Sequence, residues 1–227
     1  INNLLKDFEK GRISMTDDAA FEVGRNLAVT PGAVVFENDL MQLIQYVPTT
    51  EKVAQVPLVI VPPCINKFYI LDLQPENSFV RYAVAQGITV FMVSWRNPKA
   101  DFGHLTWDDY LEQGALKALA VASNICGVKQ VNALGFCVGG TLLTSALAVA
   151  RARDEDPVAS LTLLTTLLDF SERTALVSRS LYRTQQDGRP TAEQIRMASA
   201  LRSDFLHFSN YWHFAELANK TEEIEHF

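Results

Sequence analysis

A thiol flanked by glycines, between an apolar run and a helix-forming run, constrains this chain more than any other feature. Residues Gly135–Gly140 read Gly-Phe-Cys-Val-Gly-Gly and follow the apolar run Val131–Leu134, which predicts a strand. A side chain at a sharp turn from strand to helix sits on strained backbone, so the residues two before and two after it must lack bulk. We therefore predict that Cys137 lies at such a turn, with Gly135 and Gly139 giving it room.

The chemistry of this turn follows from its position. The sequence G-x-C-x-G is the G-x-S-x-G pattern of serine hydrolases with sulfur in place of oxygen. The amino end of a helix favours negative charge, so a thiolate at Cys137 is favoured there. The backbone N–H of Val138, directly after the nucleophile, predicts one donor to the oxyanion of a tetrahedral intermediate. A buried structural cysteine in a glycine-rich turn is the alternative interpretation of the same residues.

Strand-like and helix-like runs alternate along the first three quarters of the chain. The apolar runs Pro57–Val61, Ile88–Trp95 and Ala159–Thr166 are typical of strands buried on both faces. Thr106 and Asp109 form a capping box that predicts the start of a long helix. Two β-rich runs before position 48 predict an antiparallel hairpin. The order of elements predicts an α/β fold, in which a mostly parallel sheet carries helices on both faces.

The same patterns predict three parts along the chain. Residues 1–48 form an N-terminal segment with a helix and the strand hairpin, and residues 49–172 form the core that carries Cys137. Residues 173–227 contain no strand-like run, and their apolar side chains recur at helical spacing, which predicts a helical C-terminal tail. The tail has three open explanations: a native tail, a frame change, or an omitted segment before it.

Composition narrows the class of protein. Of the 227 residues, 48% are hydrophobic and 20% are charged, which is typical of a globular protein. A net charge of −6 without a basic stripe argues against nucleic acid as the main partner. No apolar run approaches the roughly 20 residues that span a bilayer. Cys64, Cys126 and Cys137 make an odd count without zinc-ligand spacing, so we expect a cytoplasmic protein with neither metal nor cofactor.

A cysteine acyl-transfer site also needs a base and a group that orients it. The chain has four histidines: His104, His207, His213 and His226. We interpret His104, ahead of the long helix, as a solvated loop residue, and His207 and His213 as surface residues of a helical segment. Asp169 follows the last predicted strand, and we interpret it as a helix cap or turn acid, with a triad acid as the alternative. No motif assigns the base or its orienting acid, so both stay unknown.

Several segments together resemble one enzyme family. They are FEVGRNLAVTPGAVVFEN, VPPCINKFYILDLQPENSFVR, VFMVSWRNP, TWDDY, LGFCVGGT and LTLLTTLLDF. On these motifs, residues 1–172 resemble the polyhydroxyalkanoate (poly-3-hydroxybutyrate) synthase family, and within it the synthases that use short-chain 3-hydroxyacyl-CoA. The resemblance ends at about Arg173. It implies that the α/β fold is of the α/β-hydrolase type.

The resemblance also implies roles for individual residues. Cys137 matches the family's nucleophile, which takes the acyl group from coenzyme A as a thioester, and the amides of Val138 and Ile65 match its oxyanion donors. The family's histidine and aspartate motifs are not found in Thr174–Phe227. The implied substrates are 3-hydroxyacyl-CoA and a growing polyester chain. The implied assembly is a homodimer at the surface of a cytoplasmic polyhydroxyalkanoate granule.

Four other residues near predicted strand ends have weaker functional interpretations. Trp95 and Arg96 end a strand at the sheet edge where α/β proteins bind ligands. We interpret them as a packing residue and a solvated guanidinium, with contact to substrate or another chain as the alternative. Lys67 is interpreted as a surface charge, with coenzyme A phosphates as the alternative partner. Cys64 follows two prolines without a strand-to-helix turn and is interpreted as structural.

Two other functions stay open beside the synthase. One is a cysteine thioesterase or esterase on the same fold, in which water takes the place of the attacking hydroxyl. The other is a catalytically incomplete synthase fragment that binds a granule or a partner chain, since no motif for the base was found.

Overall fold

The computed structural model describes residues 20–98 and 100–168 of the chain. Within them, six strands form one mixed sheet in the order β1-β2-β4-β3-β5-β6. Both strand pairs that involve β2 are antiparallel, and the other three pairs are parallel. The predicted mostly parallel sheet is therefore confirmed, with an antiparallel hairpin at one side. The strands are β1 Gly32–Glu37, β2 Met41–Tyr46, β3 Leu58–Val61, β4 Val90–Trp95, β5 Val131–Phe136 and β6 Val158–Leu164.

The hairpin predicted before residue 48 is confirmed, and Asn38 organises its turn. The Asn38 side-chain oxygen accepts hydrogen bonds from the amides of Leu40 and Met41 at 2.9 and 2.8 Å. The Asn38 amide donates to the Met41 carbonyl at 3.0 Å. Asparagine is common at such turns because its short side chain bonds the backbone two or three residues on. The hairpin belongs to the main sheet because β2 pairs with β4.

Three helices of more than five residues lie among the described residues: α1 Phe79–Ala85, α2 at residues 107–126, and α3 Val138–Ala152. Ser78 caps α1 by accepting a hydrogen bond from the Arg81 amide at 2.8 Å. The Ser78 hydroxyl also donates to the buried Asp72 carboxyl group at 2.5 Å, and Thr30 donates to the same oxygen at 2.5 Å. Asp72 therefore ties the end of the segment after β3 to the start of α1.

The long helix α2 begins at the predicted capping box. The amide and hydroxyl of Thr106 donate to the Asp109 carboxylate at 2.8 and 2.9 Å. The helix is α-helical over Trp107–Asp109, π-helical over Tyr110–Leu116 and α-helical again over Lys117–Cys126. The sequence predicted a uniform helix here, so the π-helical stretch is a difference that the structure reveals.

The core lies on both faces of the sheet. Along β4, alternate side chains enter two separate apolar clusters: Phe91, Val93 and Trp95 pack with α2 and α3, while Val90 and Met92 pack with α1. Because both faces of the central strands are covered, β4 reads as an unbroken apolar run. The prediction of helices on both faces is thus confirmed.

Several predicted features lie outside the described residues. They are the N-terminal helix, the helical tail at 173–227, Asp169, His207, His213 and His226. Within the described part of the chain, every helix is too short or too polar to cross a bilayer.

Candidate active site

Cys137 lies at the turn between β5 and α3, as the glycine pattern predicts. Its backbone angles are φ 52° and ψ −126°, a conformation that residues with a side chain rarely adopt. The Cys137 amide donates to the Leu164 carbonyl of β6 at 2.9 Å, and its own carbonyl accepts from the Gly140 amide at 2.9 Å. These bonds hold the strained residue from both sides. The residue as a whole is half-buried.

Three glycines make the turn sterically possible. A Cβ atom on Gly135 would collide with the backbone of Gly140. One on Gly139 would lie 2.5 Å from the carbonyl oxygen of Pro62. One on Gly140 would collide with the Thr166 side chain, a constraint that sequence reasoning missed. The adjacent Gly139-Gly140 pair was the available signal, but the contact with Thr166 is visible only in the fold.

The loop after β3 leaves the sheet beside this turn. Val61 at the end of β3 is the register partner of Gly135 in β5. A turn follows in which the Asn66 amide donates to the Pro63 carbonyl at 3.2 Å, with Ile65 at its third position. The Ile65 side chain is 47% exposed. The segment that carries the Ile65 amide and the helix end that carries the Val138 amide therefore meet at the same edge of the sheet.

Trp95 and Arg96 differ in their surroundings. The Trp95 side chain is buried, its ring centroid lies 5.6 Å from that of Tyr110, and its indole N–H donates to the Pro62 carbonyl at 2.8 Å. Arg96 is exposed, and its guanidinium lies 4.7 Å from the centre of the Phe102 ring. Packing is thus the observed role of Trp95, as expected, with the addition of one buried hydrogen bond.

A pocket of about 320 Å³ opens at the carboxyl end of β4. Lys67 and Arg96 bring positive charge to its lining, and Glu37 brings negative charge. Lys67 belongs to the same loop as Ile65, so the pocket borders the proposed oxyanion segment. Its full lining is Glu37, Asn38, Met41, Gln42, Lys67, Ser94, Trp95, Arg96 and Asn97.

Cys64 and Cys137 lie near the same sheet edge but pack on opposite faces. Cys64 packs against the cluster that contains Trp95, whereas Cys137 packs against the cluster that contains Met92. All three cysteines are free thiols. Burial raises the pKa of the Cys64 thiol, and burial likewise raises the pKa of Cys126. A raised pKa disfavours the reactive thiolate, which supports the structural interpretation of Cys64.

The described residues leave the base unassigned. His104, the one histidine within residues 20–98 and 100–168, is exposed at the end of the short 3₁₀ helix Ala100–His104. Hydrogen bonds from the amide and hydroxyl of Thr106 hold the pKa of Asp109 below its ordinary value, with smaller contributions from Gln113 and His104. His104 is thus a neighbour of the α2 capping box. Over the same residues, no group of three His, Cys, Asp or Glu side chains has the geometry of a metal site.

Two family models match the chain. The model described as the N-terminus of poly-beta-hydroxybutyrate polymerase (PhaC) matches residues 1–83. The model of the alpha/beta hydrolase fold matches residues 57–224. A solved structure of proline iminopeptidase from Mycobacterium smegmatis aligns with 75% of this chain and 59% of its own, with 14% identity and a TM-score of 0.44.

Curated relatives cover most of this chain. The poly(3-hydroxyalkanoate) polymerase subunit PhaC of Cupriavidus necator is 61% identical over 172 residues, which are 76% of this chain and 29% of the relative. Poly(3-hydroxyalkanoate) polymerase 2 of Ectopseudomonas oleovorans is 40% identical over an alignment 238 residues long, which covers 97% of this chain and 41% of the relative. The chain thus spans less than half the length of either relative. The second alignment extends beyond residue 172, where the resemblance in motifs ends.

Proposed function

Because this chain belongs to the α/β-hydrolase fold family and, within it, to the poly(3-hydroxyalkanoate) polymerases, we propose that it polymerises 3-hydroxyacyl-CoA through a thioester on Cys137. The observation that carries the proposal is the strained backbone of Cys137 between β5 and α3. Strain of this kind persists only where the surrounding structure imposes it, and strained residues are concentrated at active sites. The glycines on either side allow the strand and the helix that hold Cys137 to pack closely.

The proposed reaction has two acyl transfers. The Cys137 sulfur attacks the thioester carbonyl of 3-hydroxyacyl-CoA, the bond to the coenzyme A sulfur breaks, and coenzyme A leaves as its thiol after taking up a proton. The hydroxyl group of another acyl unit or of the growing chain then attacks the acyl-cysteine. The hydroxyl loses its proton, a new ester forms, and the Cys137 thiol is restored.

Each transfer passes through a tetrahedral oxyanion, for which we propose the amides of Val138 and Ile65 as donors. Val138 is the first residue of α3, where N–H groups have no acceptor within the helix. Ile65 lies in the turn that follows β3, and support for its role comes from the pairing of Val61, at the end of β3, with Gly135, two residues before Cys137. Loss of one oxyanion donor typically slows acyl transfer by about 10²–10³-fold.

The assembly and location of the protein are part of the same proposal. We expect a homodimer that works in the cytoplasm at the surface of a polyhydroxyalkanoate granule. These expectations follow from the resemblance to the synthases.

A second candidate is a catalytically incomplete synthase piece that binds a granule or a full polymerase. The exposed position of His104 beside Asp109 favours it, because the described part of the chain then offers no base for Cys137. A thioesterase or esterase is the third candidate, since water would give hydrolysis at the same acyl-cysteine.

One labelling experiment separates these candidates. The chain is incubated with radiolabelled 3-hydroxybutyryl-CoA, and covalent label, coenzyme A release and products are measured for wild type, Cys137→Ala and the matched control Cys126→Ala. The synthase proposal predicts label and polymer in wild type and in Cys126→Ala, and neither in Cys137→Ala. Label retained in Cys137→Ala refutes the nucleophile. Free acid without polymer indicates a thioesterase, and granule binding without coenzyme A release indicates an incomplete piece.

A further inference from the structure

Trp95 makes a buried hydrogen bond to the segment that carries a proposed oxyanion donor. Its indole N–H donates to the Pro62 carbonyl at 2.8 Å, and the two residues are 33 positions apart in the chain. Trp95 ends β4, and Pro62 is the first residue after β3, the neighbouring parallel strand. The bond therefore joins the carboxyl ends of two adjacent strands, outside the ladder of backbone hydrogen bonds.

The carbonyl that accepts this bond also packs against the turn of the nucleophile. A Cβ atom on Gly139 would lie 2.5 Å from the Pro62 oxygen and 2.6 Å from its carbonyl carbon. The Pro62 carbonyl is thus held between the indole on one side and the first turn of α3 on the other. A change in its direction would alter the contact with the helix that begins at Cys137.

The two prolines make the direction of this carbonyl important. The rings of Pro62 and Pro63 fix φ at about −65°, so few torsions remain that set where the following residues go, and ψ at Pro62 is one of them. The hydrogen bond from the indole N–H restrains this torsion, because a change in ψ at Pro62 would rotate the carbonyl that accepts the bond. Two residues after Pro63, the chain reaches the amide of Ile65.

The indole is itself held in place by the π-helical part of α2. A Cβ atom on Gly114 would lie 2.6 Å from two ring carbons of Trp95, so only glycine allows this approach. The Tyr110 ring packs on the other part of the indole, and Trp95 is 7% exposed. The donor is therefore rigid before any substrate binds.

We propose that Trp95 is a positioning residue for acyl transfer: by holding the Pro62 carbonyl, it sets the Ile65 amide relative to the Cys137 sulfur. This inference rests on the proposed function, because it assumes an acyl group on Cys137 and an oxyanion beside Ile65. It differs from a packing role alone, which would support the fold without affecting one chemical step more than another.

The test compares two reactions of the same thiol in the full chain. Acylation of Cys137 by p-nitrophenyl butyrate, followed as a burst of nitrophenolate, passes through an oxyanion, whereas alkylation by iodoacetamide does not. In Trp95→Phe, which keeps a ring and removes the N–H, we expect acylation to slow by about 10–100-fold, since losing a donor outright costs about 10²–10³-fold. Alkylation should stay within about twofold of wild type.

Two further variants complete the test. Trp107→Phe makes the same change at a tryptophan that is 44% exposed, and both rates should stay at wild-type values. Gly114→Ala keeps the indole N–H but displaces the ring, so it should slow acylation selectively, like Trp95→Phe. Circular dichroism checks that each variant folds.

Three outcomes overturn the inference: unchanged acylation in Trp95→Phe, equal slowing of both reactions in both variants, or no acylation of wild-type Cys137 by the ester. The ester also separates this inference from the proposed function. Suppose that the ester acylates Cys137 and that Trp95→Phe slows this acylation selectively, but that 3-hydroxybutyryl-CoA gives no product. The positioning role of Trp95 then stands, and the polymerase proposal fails.

Discussion

Val61 and Gly135 are register partners at the carboxyl ends of the adjacent parallel strands β3 and β5. The two segments that continue from them start side by side: one carries Ile65, and the other carries Cys137. Parallel pairing thus joins two residues that are 74 positions apart in the sequence.

Replacing Gly139 by alanine should destabilise the protein and reduce acylation of Cys137. The new Cβ would meet the backbone of Val61 and Pro62, which cannot rotate away as a flexible side chain would. Overpacking of this kind costs about 1–3 kcal/mol, measured as a lower free energy of unfolding in urea. Gly103→Ala is the matched control, because nothing lies within 4 Å of its Cβ position. Equal stability of the two variants would contradict the steric account of the turn.

Replacing Ser78 by alanine should lower the free energy of unfolding by about 2–3 kcal/mol, because one hydroxyl has two structural roles. It caps α1 through the Arg81 amide, and it donates to the buried Asp72 carboxyl group. Ser145→Ala is the control, since the Ser145 hydroxyl bonds only the Thr141 carbonyl one turn earlier in α3 among the contacts of the described chain. Unfolding in denaturant measures the free energy of unfolding of both variants, with one common slope used for its dependence on denaturant concentration. A loss below about 1 kcal/mol in Ser78→Ala would mean that the cap alone matters.

The stability contributed by the α2 capping box should depend on pH. Hydrogen bonds from Thr106 hold the pKa of Asp109 below its ordinary value, so the ionised group stabilises the fold above the unfolded pKa, near 4. This contribution is lost as the pH falls through the lower, folded pKa. At pH 7, the wild-type protein should therefore unfold at a higher urea concentration than Asp109→Ala. The difference between their unfolding midpoints should become smaller below about pH 4.

Asp108→Ala provides the comparison for that prediction, as it removes the adjacent carboxylate, which lies outside the Thr106–Asp109 pair. A difference between wild type and Asp109→Ala that is the same at pH 3 and pH 7 would show that the carboxylate charge has no part in the cap.

Cys64 should react slowly with thiol reagents although it lies close to the proposed site. Burial raises the pKa of its thiol, so little thiolate is present at neutral pH. The rate of alkylation should therefore keep increasing with pH beyond the ordinary cysteine pKa, which is near 8.5. Mass spectrometry of iodoacetamide-labelled peptides between pH 7 and pH 10 measures the profile. Cys64→Ala should leave the acylation rate of Cys137 within about twofold of wild type. A larger loss would give Cys64 a part in the chemistry.

Features set by nearby residues could be predicted from the sequence. The Gly135 and Gly139 spacing predicted the strained turn because both glycines lie two residues from Cys137, although the backbone that crowds Gly139 belongs to the distant residues Val61 and Pro62. The Thr106–Asp109 cap and the hairpin turn at Asn38 are local in the same way. Helix α3 likewise begins where the helix-forming run follows this turn, with Val138 as its first residue directly after the strained Cys137.

Features that depend on distant contacts could not be predicted. The π-helical stretch in α2 accompanies the close approach of Gly114 to Trp95, and Gly140 is required by Thr166, 26 residues later. The bond from Trp95 to Pro62 likewise exists only because β3 and β4 are neighbours in the sheet. A single sequence carries no periodic signal for such pairs. The same reason leaves the base of the site unassigned.

The backbone of Cys137 implies a trade-off between stability and activity. With φ at 52°, this position would suit glycine, which adopts such angles without strain, whereas a residue with a side chain costs ~1–3 kcal/mol there. Under the proposed function, the thiol at this position is therefore present at the expense of the resting protein's stability.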